Sequence, residues 1–76
     1  MVARIYADFQ NTDPHGRIRL NTVGSQLDLE GEEVELRDGM ELVVYSEDLE
    51  AHGVARVLDE GGWGVEINWS EVTDLP

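Results

Sequence analysis

The stretch DEGGWGVEINWS, Asp59 to Ser70, holds both tryptophans of the chain, and the side they occupy decides the fold. Trp63, Val65, Ile67 and Trp69 take the odd positions, while Gly64, Glu66 and Asn68 take the even ones. Successive side chains of an extended chain point to opposite faces, so the four large apolar groups share one side. The other side carries a carboxylate and an amide. The odd face is therefore the inner face of a half-buried strand, and both indoles are expected in the core rather than on a binding platform. Each ring can bury about 150–250 Å². In 76 residues without a cysteine to staple them, that area is hard to replace. Trp69 precedes a closing turn and is expected to be well covered. Trp63 follows two glycines and is expected to keep one edge wet.

The preceding strand, expected over Val54–Asp59, must bring its own apolar side chains to the same face. A three-residue Glu60-Gly61-Gly62 loop sets Asp59 opposite Trp63, Val57 opposite Val65 and Ala55 opposite Ile67, with Arg56 meeting Glu66 outside. A two-residue loop would turn Arg56 inward, an unpaired charge costing on the order of 3–5 kcal/mol. In the favoured register Val54 and Leu58 lie outside, flanking Gly64. Either the strand curls to cover them or they form a small apolar patch for a partner.

Toward the amino end the period is again two. From Met1, Ala3, Ile5, Ala7 and Phe9 alternate with Arg4, Tyr6, Asp8 and Gln10, and Ile18 and Leu20 alternate within Arg17–Asn21. The turn residues Asn11 to Gly16 between them predict an antiparallel hairpin, with Phe9 facing Ile18, Ala7 facing Leu20 and Asp8 facing Arg19. Ser25 with Asp28 is a weak capping box and Gly31 a candidate stop, giving one or two helical turns. Glu32 to Leu36 is an extended lead-in to a turn at Arg37-Asp38-Gly39. Met40–Ser46 is the richest strand, with apolar atoms on both faces, and belongs in the middle of a sheet. A polar connection, Glu47–His52, follows it, and a 3₁₀ turn is expected at Ser70–Val72.

The chain is strongly acidic. Seventeen carboxylates face five arginines, without a lysine, for a formal charge of −12. Such a surface repels nucleic acid and anionic membranes over roughly 8–10 Å at physiological salt and attracts basic proteins or cations. The bland explanation is solubility; adaptation to high salt is another. Apolar runs are too short to cross a bilayer and no basic, hydrophobic signal segment opens the chain, so a cytoplasmic address is expected.

Chemistry is hard to place. His15 and His52 each sit near glycine in a turn, where histidines are ordinarily solvated, and no P-loop, GxGxxG or HExxH occurs. No catalytic residues are assigned and an enzyme is not expected. The acids Glu30, Glu32, Glu33 and Glu35, with Asp28 and Asp38 on either side, lack the pattern of a calcium loop, so neither metal nor cofactor is expected. Arg4, Arg17 and Arg19 should share the outer face of the first hairpin with Tyr6, where they could hold a small anion unless Asp8 and its neighbours neutralise them.

The predicted fold is thus all-β: five strands, a short helical turn between the second and third, and a 3₁₀ turn near the carboxy end, in one domain over residues 1–76. That order resembles an SH3-like barrel along nearly the whole chain. The segments NTDPHGRIRLN, GMELVVYSEDLE and GWGVEINW are also similar to a family of short bacterial proteins to which no activity is attached. The resemblance is one of architecture, and fold likeness alone does not carry function. The expected function is a small acidic, non-enzymatic protein-interaction module. It would bind a protein, with the acids steering a basic one, through Trp63 and the Val54/Leu58 face, as a monomer or weak homodimer. The alternatives are an acidic mimic of a nucleic-acid backbone that occupies a basic DNA- or RNA-binding protein, and a small-anion-binding domain using Arg4, Tyr6, Arg17 and Arg19.

Overall fold

The computed structural model describes residues 2–75, so Met1, where the first strand is expected to begin, lies outside them. The elements are β1 (Ala3–Tyr6), β2 (Ile18–Arg19), α1 (Val23–Gly31), β3 (Glu41–Tyr45), β4 (Leu49–Val57), β5 (Trp63–Ile67), a 3₁₀ turn (Trp69–Glu71) and β6 (Thr73–Asp74). The strand-rich character is as expected, but the five-stranded barrel is not what forms. Among the described residues six strands make one sheet in the order β1-β3-β4-β5-β2, with β6 added to β4, and the sheet is not closed.

The first expected hairpin is replaced by two separate pairings. β1 runs parallel to β3, from Ala3 beside Leu42 to Tyr6 beside Tyr45, and β2 lies antiparallel to β5, with Ile18 beside Val65. Alternation fixes which side chains go inside, and Ile5, Ala7, Phe9, Ile18 and Leu20 are indeed buried. It does not fix the neighbour. The chain leaves the sheet after Tyr6 because Asp8 organises a turn, accepting the Gln10 N–H on Oδ1 and the Asn11 N–H on its carbonyl, both at 2.9 Å. Asp8 therefore does not meet Arg19. The hairpin that does form is tighter. Thr12 bridges Ile18, Gly16 turns at φ +79°, and Asp13 Oδ1 accepts the backbone N–H groups of His15 and Arg17 at 2.9 Å. Burial works against the charge on Asp13, but the two N–H groups, with help from His15 and Arg17, outweigh it and hold the carboxyl below its ordinary range.

Helix α1 starts one turn earlier than Ser25 suggests. Thr22 is the N-cap, its hydroxyl oxygen accepting the Ser25 N–H at 3.1 Å. Gly31 lies inside the helix, and the left-handed residue that ends it is Glu33, at φ +53°. There the Val34 N–H donates to the Leu29 carbonyl and the Glu33 N–H to the Glu30 carbonyl, a Schellman ending in which Leu29 and Val34 both pack on the core. A glutamate thus holds the position that favours glycine, and a glycine sits where alanine is better. Gly31→Ala, whose added Cβ meets nothing within 4 Å, is expected to stabilise by about 0.5–1 kcal/mol. Glu33→Gly should add to that by relieving the left-handed strain. Urea denaturation of the single and double variants measures both; a destabilised Gly31→Ala would contradict the placement of the helix end.

β4 is longer than its apolar residues announce, because Leu49 to Gly53 replaces most of the expected polar connection. After Leu49 its inward residues are Ala51, Gly53 and Ala55, too small to signal a strand, and at Gly53 the space is tight. β4 pairs with β3 on one side and, on the other, first with β6 at Leu49–Glu50 and then with β5 from Gly53. The β4–β5 connection spans five residues, Leu58 to Gly62, closed by Leu58 N–H to Gly62 carbonyl at 3.0 Å. Gly61 and Gly62 both take positive φ. The observed register is two residues off the expected one, with Ala55 beside Val65 and Val57 beside Trp63. A shift of two keeps the facing of β5 and of Ala55, but Val57, expected inward, ends 55% exposed where β4 stops, and Leu58, expected outside, turns in. The odd residues of β5 still point inward, and Arg56 still reaches Glu66 outside, at 3.6 Å on the diagonal.

Trp63 has the environment expected of it and Trp69 does not. Trp63 is half-buried and packs against the core. Trp69 is 46% exposed. Its ring edge meets Phe9 at 6.2 Å between centroids and its Nε1 donates to the Gly16 carbonyl at 3.0 Å, so it latches the Asp13–Arg17 turn from outside. β5 ends at Ile67, and Trp69 opens the 3₁₀ turn instead of continuing the inward alternation.

Candidate functional site

A cavity of about 230 Å³ opens between α1, the segment after it and the β4–β5 connection. Its floor is Leu20 and Leu58, both nearly inaccessible, and its walls are Leu29, Leu36 and the half-buried Trp63. Leu58 reaches this place because Gly64 has no side chain: a Cβ there would stand 2.6 Å from Leu58 Cδ2. Leu29 arrives on the inward face of α1, three residues beyond Gln26, whose amide donates to the Leu20 carbonyl at 3.1 Å and borders the opening.

The rim is polar and held in place. Arg19 grips Glu60 through Nε and Nη2, at 2.9–3.1 Å, and donates from Nη1 to Asn11 Oδ1 at 3.2 Å. Asn11 in turn donates to Asn21 at 2.7 Å. The hydrogen bonds to Glu60 outweigh partial burial and strengthen the hold of Arg19 on its proton. The guanidinium at the mouth is therefore already satisfied, and the space behind it is apolar.

Of the expected contact residues, Trp63 lines this opening, and Leu58 is part of its floor and only 4% exposed, so it presents no outer patch. Val54 lies elsewhere, beside Glu41 across β3 and β4, near Val2 and His52. The arginine patch is not assembled. Arg4 is on β1 and Arg19 on β2, at opposite ends of the strand order. Arg4 lies over the Tyr45 ring at 4.1 Å and pairs with Glu50 at 2.9 Å, Arg17 faces Glu66 at 3.9 Å, and the Tyr6 hydroxyl donates to Glu47 at 3.0 Å. Arg4 and Arg19 are each held by one acid, while Arg17 shares Glu66 with Arg56 and its buried Nε makes no hydrogen bond among the described residues. Among the described residues no three His, Asp or Glu side chains converge as a cation would require. His15 is exposed and sits 3.2 Å from Asp59, while exposed His52 lies opposite Val43. No helix among the described residues is long and apolar enough to cross a membrane.

Trp63 was legible as a ring with one open edge, but Leu29 and Leu36 were not legible as its companions. Three elements distant in sequence supply the walls, and the sequence signal is only the apolar spacing of Leu27, Leu29, Val34 and Leu36. No protein-family model, curated protein or solved structure matches this chain.

Proposed function

We propose that the chain is a small acidic protein-interaction module that seats one apolar side chain of a partner against Trp63. The observation that carries this reading is the leucine-and-tryptophan cavity behind an ion pair that needs no further partner. At about 230 Å³ it is smaller than the roughly 300–1,000 Å³ of sites for drug-sized molecules, which suits a single side chain better than a cofactor. The net charge of −12 supports a partner whose anchor is flanked by basic residues, because those would be drawn in and acidic sequences turned away.

Trp69→Phe leaves Trp63 as the lone indole reporter. Capped peptides Arg-Gly-X-Gly-Arg, with X as Leu, Phe or Ala, then separate anchor from charge. The Leu and Phe peptides are expected to bind about tenfold more tightly than the Ala peptide, to change Trp63 emission, and to shift amides at Leu20, Leu29, Leu36 and Leu58. Equal affinity of all three peptides, with a steep loss as salt rises, would sink the anchor reading and support the nucleic-acid-mimic reading instead.

A further inference from the structure

β1 is an edge strand, with β3 on one side only. Residues of a parallel strand alternate in the direction of their backbone groups. Ala7 N–H donates toward β3, to the Tyr45 carbonyl at 2.8 Å, so the even residues aim their N–H and C=O at the free edge. At Tyr6 that edge is closed by α1: Asp28 Oδ2 accepts its N–H at 2.8 Å and the Ser25 hydroxyl donates to its carbonyl at 2.6 Å. Two residues earlier nothing does the same. By the same alternation the backbone N–H and C=O of Arg4 point away from β3, and no side chain or loop backbone among the described residues meets them.

Beside this open edge lies a second cavity, about 360 Å³, sharing no residue with the Trp63 groove. Its floor is Val2, Ala3, Val34 and Met40, and its rim carries the carboxylates of Glu32, Glu33, Glu35 and Glu41. None of these four acids is within ion-pair distance of a cation among the described residues. The nearby Arg4 guanidinium is held by Glu50 and the Tyr45 ring.

We propose that the Val2–Arg4 edge of β1 docks an extended segment of a basic protein as an added strand. Arg4 supplies one backbone donor and one acceptor. The incoming strand turns an apolar side chain toward Ala3, Val34 and Met40, and the four glutamates at the rim draw the long lysine or arginine side chains of the segment by charge. Exposed edges are ordinarily blunted by a covering element or by charge, and this one is covered only at Tyr6. An acidic strand or a second copy of this chain would meet like charge there, whereas a basic segment meets complementary charge.

The probe is the capped peptide Lys-Val-Lys-Val-Lys, compared with the same peptide N-methylated at alternate residues, which keeps its charge and loses its edge donors. The plain peptide is expected to slow hydrogen exchange of the Arg4 amide and to shift amides at Val2 to Tyr6 and Glu32 to Met40. N-methylation should weaken it about tenfold, and Glu32→Gln with Glu35→Gln by roughly three- to tenfold. Equal binding of the two peptides would reduce the contact to charge alone and overturn strand addition. Protection of Arg4 that grows with protein concentration in the absence of peptide would overturn it in favour of edge-to-edge self-pairing. The Trp63 signal is silent in this titration, so either surface can fail without the other.

Discussion

Gly53→Ala is expected to be among the most damaging single substitutions in this protein. A Cβ built there would stand 2.5 Å from Val65 Cγ1, 2.7 Å from Ile67 Cγ2 and 2.7 Å from the carbonyl oxygen of Glu66. The two side-chain atoms could move. The carbonyl could not, because it belongs to the backbone of β5 within its ladder with β4. Overpacking of a tight interior costs about 1–3 kcal/mol, and a clash with fixed backbone puts this site at the upper end. A small domain of this kind has only ~3–5 kcal/mol to lose. The expected result is a melting temperature lower by roughly 12–24 °C, with Val65→Ala unable to rescue it because the backbone contact remains. Circular dichroism melts of the two single variants and the double variant check this. A wild-type melt for Gly53→Ala would mean that β4 and β5 do not approach this closely.

The same glycine shows why the sequence yields facing more readily than pairing. In β5 the large apolar residues take every second position, with only glycine and glutamate between them, so the inward side of Trp63, Val65 and Ile67 could be read directly. The first half of β4 turns inward only Leu49, Ala51 and Gly53 among acids and His52, and a pattern that counts apolar bulk sees a polar connection over Glu47–His52. Neighbours are harder still. β1 has the alternation of a hairpin strand, yet its partner is the parallel β3, reached only after β2 and α1. Ile5 and Ala7 would be equally inward in either arrangement. What decides is a set of polar contacts from α1, and nothing in the local spacing of Ser25 and Asp28 says that they serve β1 rather than their own helix. Trp69 was misplaced for a related reason: its indole N–H has a specific acceptor on Gly16, a contact worth more to it than deeper burial without one. The Trp63 groove was half legible, since one wet ring is visible in the sequence while the leucines that complete it come from separate elements.

Asp28→Ala is expected to loosen α1 from the sheet and to cost about 3 kcal/mol, taking two hydrogen bonds to a charged acceptor at the low end of their range. Asp28 Oδ2 accepts from the Tyr6 N–H at 2.8 Å and from the Tyr45 hydroxyl at 2.7 Å, so one carboxylate ties the helix to both β1 and β3. Ser25, which is fully buried, supplies the second tie through its hydroxyl to the Tyr6 carbonyl. Because that proton is spent on Tyr6, the Thr22 hydroxyl, 2.8 Å away, must donate to Ser25 Oγ, and the cap and the tie form one chain. Asp28→Asn keeps an acceptor and should lose about half as much as alanine. Asp28→Ala in a Tyr45→Phe background should lose less than in the wild type, by about 1 kcal/mol or more. The titration of Tyr45 gives an independent reading. Its hydrogen bond to Asp28 is the largest cause of a phenol pKa above the ordinary 10.0, with burial and the Asp28 charge adding and Arg4 opposing. Because the folded value is raised, the stabilisation is complete below the ordinary phenol range and disappears as pH rises through the folded value. The stability gap between the wild type and Asp28→Ala should therefore narrow in alkali, while phenolate absorbance of the variant rises at lower pH. A gap that stays constant, with unchanged tyrosine titration, would show that Asp28 does not hold Tyr45.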